Sequence, residues 1–311
     1  MKYLEKALLT VTAVCLSLSI ISPESLAKRA DSIKDSPHAT AAEGDKPIDS
    51  VDALSAWMTF YYMHPQPELM VPALLFADKQ GLLTGDAAAP MQAFSSRVFA
   101  QNPDKVKDWF TQLGQLSETG KTLVITSIWW SNTKEGKELL DSITAQLPDK
   151  PKVEFKKQID KSPPEVDKMD IESPDVLDML WACYSATGDE RYVKRLLSVL
   201  AWSGTDSKDL PKMLIVSAAR WSLMSNLEQH PKVKEICDSV KKQDADLKPY
   251  IEKLEEEQAA KLAAQKKEAA DAAAAAATAE KEKKQKGSKS KDEKDIESPE
   301  TKTSANPETS K

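Results

Sequence analysis

Between Ala53 and Val240 the apolar and polar positions follow one recurring arrangement: an apolar helical stretch, a short turn built on Pro, Gly, Asn or His, then a second, amphipathic stretch. The second stretches superimpose in frame at i, i+3, i+4 and i+7. Val106, Trp109, Phe110 and Leu113 form one stripe; Gly136, Leu139, Leu140 and Ile143 another; Val193, Leu196, Leu197 and Leu200 a third; Val233, Ile236, Cys237 and Val240 a fourth. Met70, Ala73, Leu74 and Ala77 give a weaker fifth, interrupted by Pro72. Such spacing lays four side chains along one side of a helix, so each unit has a face to bury. The expected fold is all-α, an irregular, solenoid-like stack of about five helical hairpins.

The first hairpin opens at Val51, turns at His64-Pro65-Gln66-Pro67 and returns through Gly81; the second turns at Asn102-Pro103. Asn before Pro at a first helical position is helix-start chemistry. In the third, the β-branched run Leu123-Val124-Ile125-Thr126 could form a strand, but the in-frame stripe that follows favours a helix. The fourth opens on Ser173-Pro174-Asp175 and turns at Thr187-Gly188-Asp189; the fifth begins at Pro211 and turns at His230-Pro231. Hairpins 1–3 thus occupy residues 51–146 and hairpins 4–5 residues 174–246. The charged, proline-rich stretch 147–173 reads as a long connection dividing the array.

The ends differ in character. Lys2 and Lys6 precede an uncharged run from Ala7 to Ile21, Pro23 breaks it, and Ser25-Leu26-Ala27 offers small residues for a signal peptidase, so residues 1–27 read as an export signal. The run of about 15 residues is short of the roughly 20 a spanning helix needs, and no other segment is apolar enough to span. The expected location is therefore the periplasm or the exterior. Residues 28–50 form a polar leader that cannot offset its ordering entropy. Residues 247–286 are rich in Ala, Glu, Lys and Gln, strong helix formers, and read as a single helix, roughly 57 Å long for about 38 helical residues. Gly287 ends it, and residues 287–311 have the composition of a disordered tail.

The formal charge of −6 leaves no electrostatic footprint for nucleic acid. Lys150, Lys152, Lys156, Lys157 and Lys161 cluster, as do residues 281 to 286, but acids and prolines interleave them as in a solvated linker. Cys183 and Cys237 are left after signal removal. They could pair in an oxidising compartment, or each could serve as a small buried hydrophobe.

The strings that bracket the turns, Trp57-x3-Tyr61-Tyr62-x-His64-Pro65-x-Pro67-Glu68, Asn102-Pro103-x2-Val106-x2-Trp109, Leu180-Trp181-x5-Thr187-Gly188-Asp189 and Arg220-Trp221-Ser222-Leu223-x2-Asn226-x3-His230-Pro231, together resemble a family of exported bacterial proteins with no assigned activity. The likeness spans residues 51 to 242 and implies a helical body; it implies no reaction. Tetratricopeptide-type repeats share the separation of Tyr184 from Gly188, yet Trp181, Val193 and Leu200 fill the positions those repeats keep small.

Chemistry is sparsely marked. No nucleophile motif, phosphate-cradling glycine loop or zinc-ligand spacing occurs, so no catalytic residue, metal or cofactor is assigned. A carboxylate pair has no linear signature, and Asp189 with Glu190 or Asp175 with Asp178 would serve an exported hydrolase of envelope polymer, the alternative function. All seven tryptophans fall between Trp57 and Trp221. The adjacent pair Trp129-Trp130 cannot comfortably face one core together, which leaves one exposed as an anchor for a partner. Arg220, inside an apolar stretch, calls for a carboxylate or a ligand. The leading expectation is a helical-repeat binding or scaffold protein of the cell envelope with a protein partner. Its surface is drawn from Tyr62, His64, Trp130, Arg220, Asn226 and His230. His64, Asn102, Asn132, Thr187 and His230 should then lie along one edge.

Overall fold

The computed structural model describes residues 48–204, 209–267 and 270–271, and every described element is helical or turn. The chain divides into two units, residues 1–252 and 253–311. The signal, the leader through Pro47, the end of the rod beyond residue 271 and the tail lie outside the described residues.

In the first unit the helices of each predicted hairpin are present. Helices α1 (Val51–Phe60) and α2 (Met70–Lys79) form the first, α3 (Ala88–Gln101) and α4 (Val106–Gln112) the second, and α5 (Glu118–Ser131) and α6 (Lys134–Ala145) the third. Helices α8 (Pro174–Thr187) and α9 (Glu190–Ser198) form the fourth, and α10 (Leu210–Gln229) and α11 (Pro231–Gln243) the fifth. Local chemistry sets the starts: the side chains of Ser50, Ser117, Thr133 and Asp189 cap α1, α5, α6 and α9 by accepting first-turn N–H groups. The β-branched run in α5 is helical because Leu123, Val124, Ile125 and Ile128 are buried together. Tertiary burial overrides propensity there.

The hairpins do not stack in chain order. Helix α3 is the centre, packed on α5 along one side and on α8 along the other, and α8 in turn meets α1 and α10. The spatial order is therefore third, second, fourth, unlike a solenoid, in which each unit meets its chain neighbours. Close approach at the centre is allowed by small residues. Ala93, Ser95, Ser96, Ser127, Ala182, Cys183 and Ala186 are all buried, and Ser96 and Ser127 satisfy their hydroxyls on the carbonyls of Ala93 and Leu123 at 2.7 and 2.8 Å.

This order explains the long connection, which must carry the chain from the third hairpin past the second to reach the fourth. It is not a solvated linker. Helix α7 (Asp149–Ile159) packs on α6 and buries Phe155 and Ile159. Beyond it, Val166 and Ile171 are buried, Arg195 donates to the Met169 carbonyl at 3.2 Å, and the Trp129 indole donates to the Lys161 carbonyl at 3.2 Å. The stretch 147–173 thus belongs to the body, and the expected division of the array there is corrected.

After α11 the Asp244 carboxylate caps a turn through the N–H groups of Asp246 and Leu247, each at 3.0 Å, and a further helix opens at Lys248. The second unit is helical over 253–267 and 270–271. Among the described residues no helix is long and apolar enough to cross a membrane.

Candidate functional site

The turns of the first, second, fourth and fifth hairpins meet around Tyr62. Just past α1, the Tyr62 N–H donates across the fold to the Ser185 carbonyl at 2.8 Å. From the second hairpin, the Gln101 amide donates to the Ala186 carbonyl at 3.0 Å. The Tyr62 hydroxyl lies 3.1 Å from His230 Nδ1 at the head of the fifth turn, its ring stands 4.9 Å from that of Tyr184, and Lys232 covers it at 5.8 Å. The third turn joins one helical turn earlier on α3, where the Arg97 guanidinium donates to the Trp130 carbonyl. Hence the first helices run with their turn ends on one side.

His230 is placed by its neighbours in sequence. Pro231 holds it in extended backbone, φ −124° and ψ 100°, between α10 and α11. Its N–H donates to the Asn226 carbonyl at 2.9 Å. The imidazole is wholly buried, 5.1 Å from the ring of Phe60. Burial, with no anion to offset it, pushes its pKa down to about 4. The neutral ring shares a hydrogen bond with the Tyr62 hydroxyl at Nδ1, while Nε2 is buried and has no hydrogen-bond partner among the described residues. Burial, with the neighbouring Tyr62 hydroxyl adding to it, raises the pKa of Tyr184. Burial likewise holds the Tyr61 phenol up at about 12 and the Cys183 thiol at about 12. A thiol so placed stays protonated and inert at neutral pH.

Gly188 makes the approach possible. It ends α8 in the left-handed region, φ +66°, and a Cβ there would stand 2.8 Å from the Tyr62 ring and 3.2 Å from the Lys232 ammonium. Gly188→Ala therefore combines backbone strain with a clash. It should cost about 1–3 kcal/mol in urea unfolding, whereas alanine at Gly81, which also has positive φ but open space around it, should cost less.

Of the expected surface residues, Tyr62 and His230 are joined directly, and His64 stands exposed two residues beyond Tyr62. Asn226 is bonded to its own helix at the Ser222 carbonyl, 2.8 Å. Trp130 sits at the third turn, half-buried, and so does Trp129, so the expectation that one of the pair is exposed is corrected. Arg220 is not at the edge. It is half-buried ten residues before His230, roughly 15 Å along the helix.

The two cysteines are both buried and carry no disulfide. Cys183 Sγ is 4.0 Å from the Ala93 carbonyl, facing α3, whereas Cys237 lies on α11, packed on α9 and α10. The pairing considered from sequence is thus not made. Asp189 is occupied in capping α9 and holding Arg191 at 2.9 Å, and Glu190 in pairing with Lys194 at 2.6 Å. Among the described residues no group of three or more His, Cys, Asp or Glu side chains could hold a metal ion.

Three features escaped the sequence reading. Lys232 and Tyr184 flank Tyr62, and Trp221 is 45% exposed. Trp221 was legible in one respect: Leu210, Met213, Leu214 and Trp221 recur at helical spacing beside the stripe Ile215, Val216, Ala219 and Leu223, more apolar surface than a helix with one buried face requires. No protein-family model, curated protein or solved structure matches the chain. Fold and site together define an all-helical protein whose turns are tied on a part-buried Tyr–His pair.

Proposed function

We propose that the protein is a non-enzymatic binding or scaffold protein of the cell envelope, exported by its N-terminal segment, that engages a protein partner along the turn edge. The observation that carries this reading is the contrast at the first turn. Tyr62 is held by Ser185, Tyr184 and His230, while the next three residues, Met63, His64 and Pro65, stand exposed. A short loop displayed on a rigid frame is the usual form of a recognition element. The acidic balance of the chain favours a protein over a nucleic-acid partner.

A photoreactive residue placed at His64 in the full chain, expressed in its own envelope, should give one adduct that excess unlabelled protein competes away. The same probe at Val153, exposed on α7, should not give that adduct. Equal labelling from both positions, or none from His64, would overturn the reading.

A further inference from the structure

Helix α10 buries Ile215, Val216, Ala219, Leu223 and Leu227, yet its opposite side is also apolar. Leu210, Met213, Leu214 and Trp221 are 61%, 45%, 42% and 45% exposed. Ser217 is exposed between them, and half-buried Met224 extends the line. At 3.6 residues per turn these six positions fall on one stripe about four turns long, and none of them is charged. The stripe has a relief: a notch at Ser217 lies one turn before a knob at Trp221, with Leu214 and Met224 outside them.

We infer that this face pairs with the same face of a second copy, the two α10 helices lying antiparallel about a two-fold axis near residue 219. Such an axis brings Trp221 of one copy onto Ser217 of the other, and the reverse, at the same time, and sets Leu214 against Met224 twice. An isologous contact requires this reciprocity, and a one-turn offset between knob and notch supplies it. A membrane surface is a poorer occupant. Glu228 lies on the stripe line and Asp209 at its start, where an interfacial helix would carry Lys or Arg. The contact is also small, because the same axis sets Leu210 against Glu228 at each end: about five residues a side remain against the 20–30 of a standard stable interface. The dimer is therefore weak, with a dissociation constant in the range of tens to hundreds of micromolar.

Sedimentation velocity of the full chain from about 5 µM to 1 mM tests this. The wild type should move from monomer to dimer over that range. Trp221→Ser should raise the dissociation constant at least about tenfold, as expected for a central tryptophan. Ser217→Trp adds apolar surface but fills the notch, so it too should weaken the dimer. The double variant Ser217→Trp/Trp221→Ser exchanges knob and notch and should restore it. Circular dichroism checks that each variant is folded, and because both positions are exposed the core is untouched. A monomer at every concentration, a Ser217→Trp variant that associates more strongly, or a double variant that fails to recover would overturn the inference. The inference goes beyond the proposed partner surface: the photoreactive probe at His64 and the association of α10 can fail independently.

Discussion

Lowering the pH from 7 to 4 should remove up to about 3 kcal/mol of stability from the wild type that His230→Phe does not lose. The sign follows from the direction of the shift. An unfolded histidine takes up its proton near pH 6.5, whereas the buried imidazole is held down to about 4 by desolvation. Between those values the unfolded state binds more protons, so the stabilising contribution is full above about pH 6.5 and drains as the pH falls towards 4. At 1.36 kcal/mol per pKa unit, the interval sets the size. The groups facing the ring, Tyr62, Tyr184 and Phe60, are neutral; beyond them lie the Lys232 cation and the Glu235 carboxylate, whose charge reaches Tyr62 and Tyr184. Desolvation is what holds the imidazole neutral. Urea unfolding of both proteins across this range measures the difference. Parallel pH profiles would show that His230 is not buried against these rings. At pH 7 the variant should be weaker by only about 1 kcal/mol, for the lost bond from Tyr62.

Phe94→Ala should cost about 4 kcal/mol, a large part of the 5–15 kcal/mol typical of a folded domain. Phe94 is wholly buried on the central helix α3 and meets Trp57 of α1 and Tyr61 at its C-terminal end edge-on, with ring centroids 5.2 and 5.4 Å away. Its removal opens a cavity where the first hairpin rests on the second. Phe94→Leu, which keeps most of the volume, should lose about 1–2 kcal/mol. If the alanine variant does not fold, the leucine variant still reports. A loss below about 1 kcal/mol for alanine would mean that α1 is not seated there.

The helices and their turns were legible because periodicity and punctuation agree along this chain. Apolar stripes at 3.6-residue spacing mark the faces, while Asn102-Pro103, Gly188 and His230-Pro231 mark the ends. Their spatial order was not legible. Nothing in the pattern of α5 or α8 says that both lie on α3; that choice depends on which small residues, such as Ala93, Ser127 and Ala186, face one another. The connection carries no such mark, because Phe155 and Ile159 are only two apolar residues among lysines and prolines, too few to announce a buried face. At the site, Tyr62 and His230 were singled out from their places in turns, but their contact spans 168 positions and no local signal encodes it. The apolar context of Arg220 points to a surface role, whereas the exposed residue there is its neighbour Trp221.

The account rests on the first hairpin being docked on the fourth and fifth through Tyr62, which gathers the turns on one edge. Tyr62 lies beyond the end of α1, so its N–H has no helical partner and is protected only if it donates to Ser185 across the fold. Hydrogen exchange at that amide, measured by NMR at neutral pH, tests the docking directly. Protection approaching that of the core amides of α3 is the predicted result. Exchange at the rate of an open turn, with α1 itself still protected, would contradict the account.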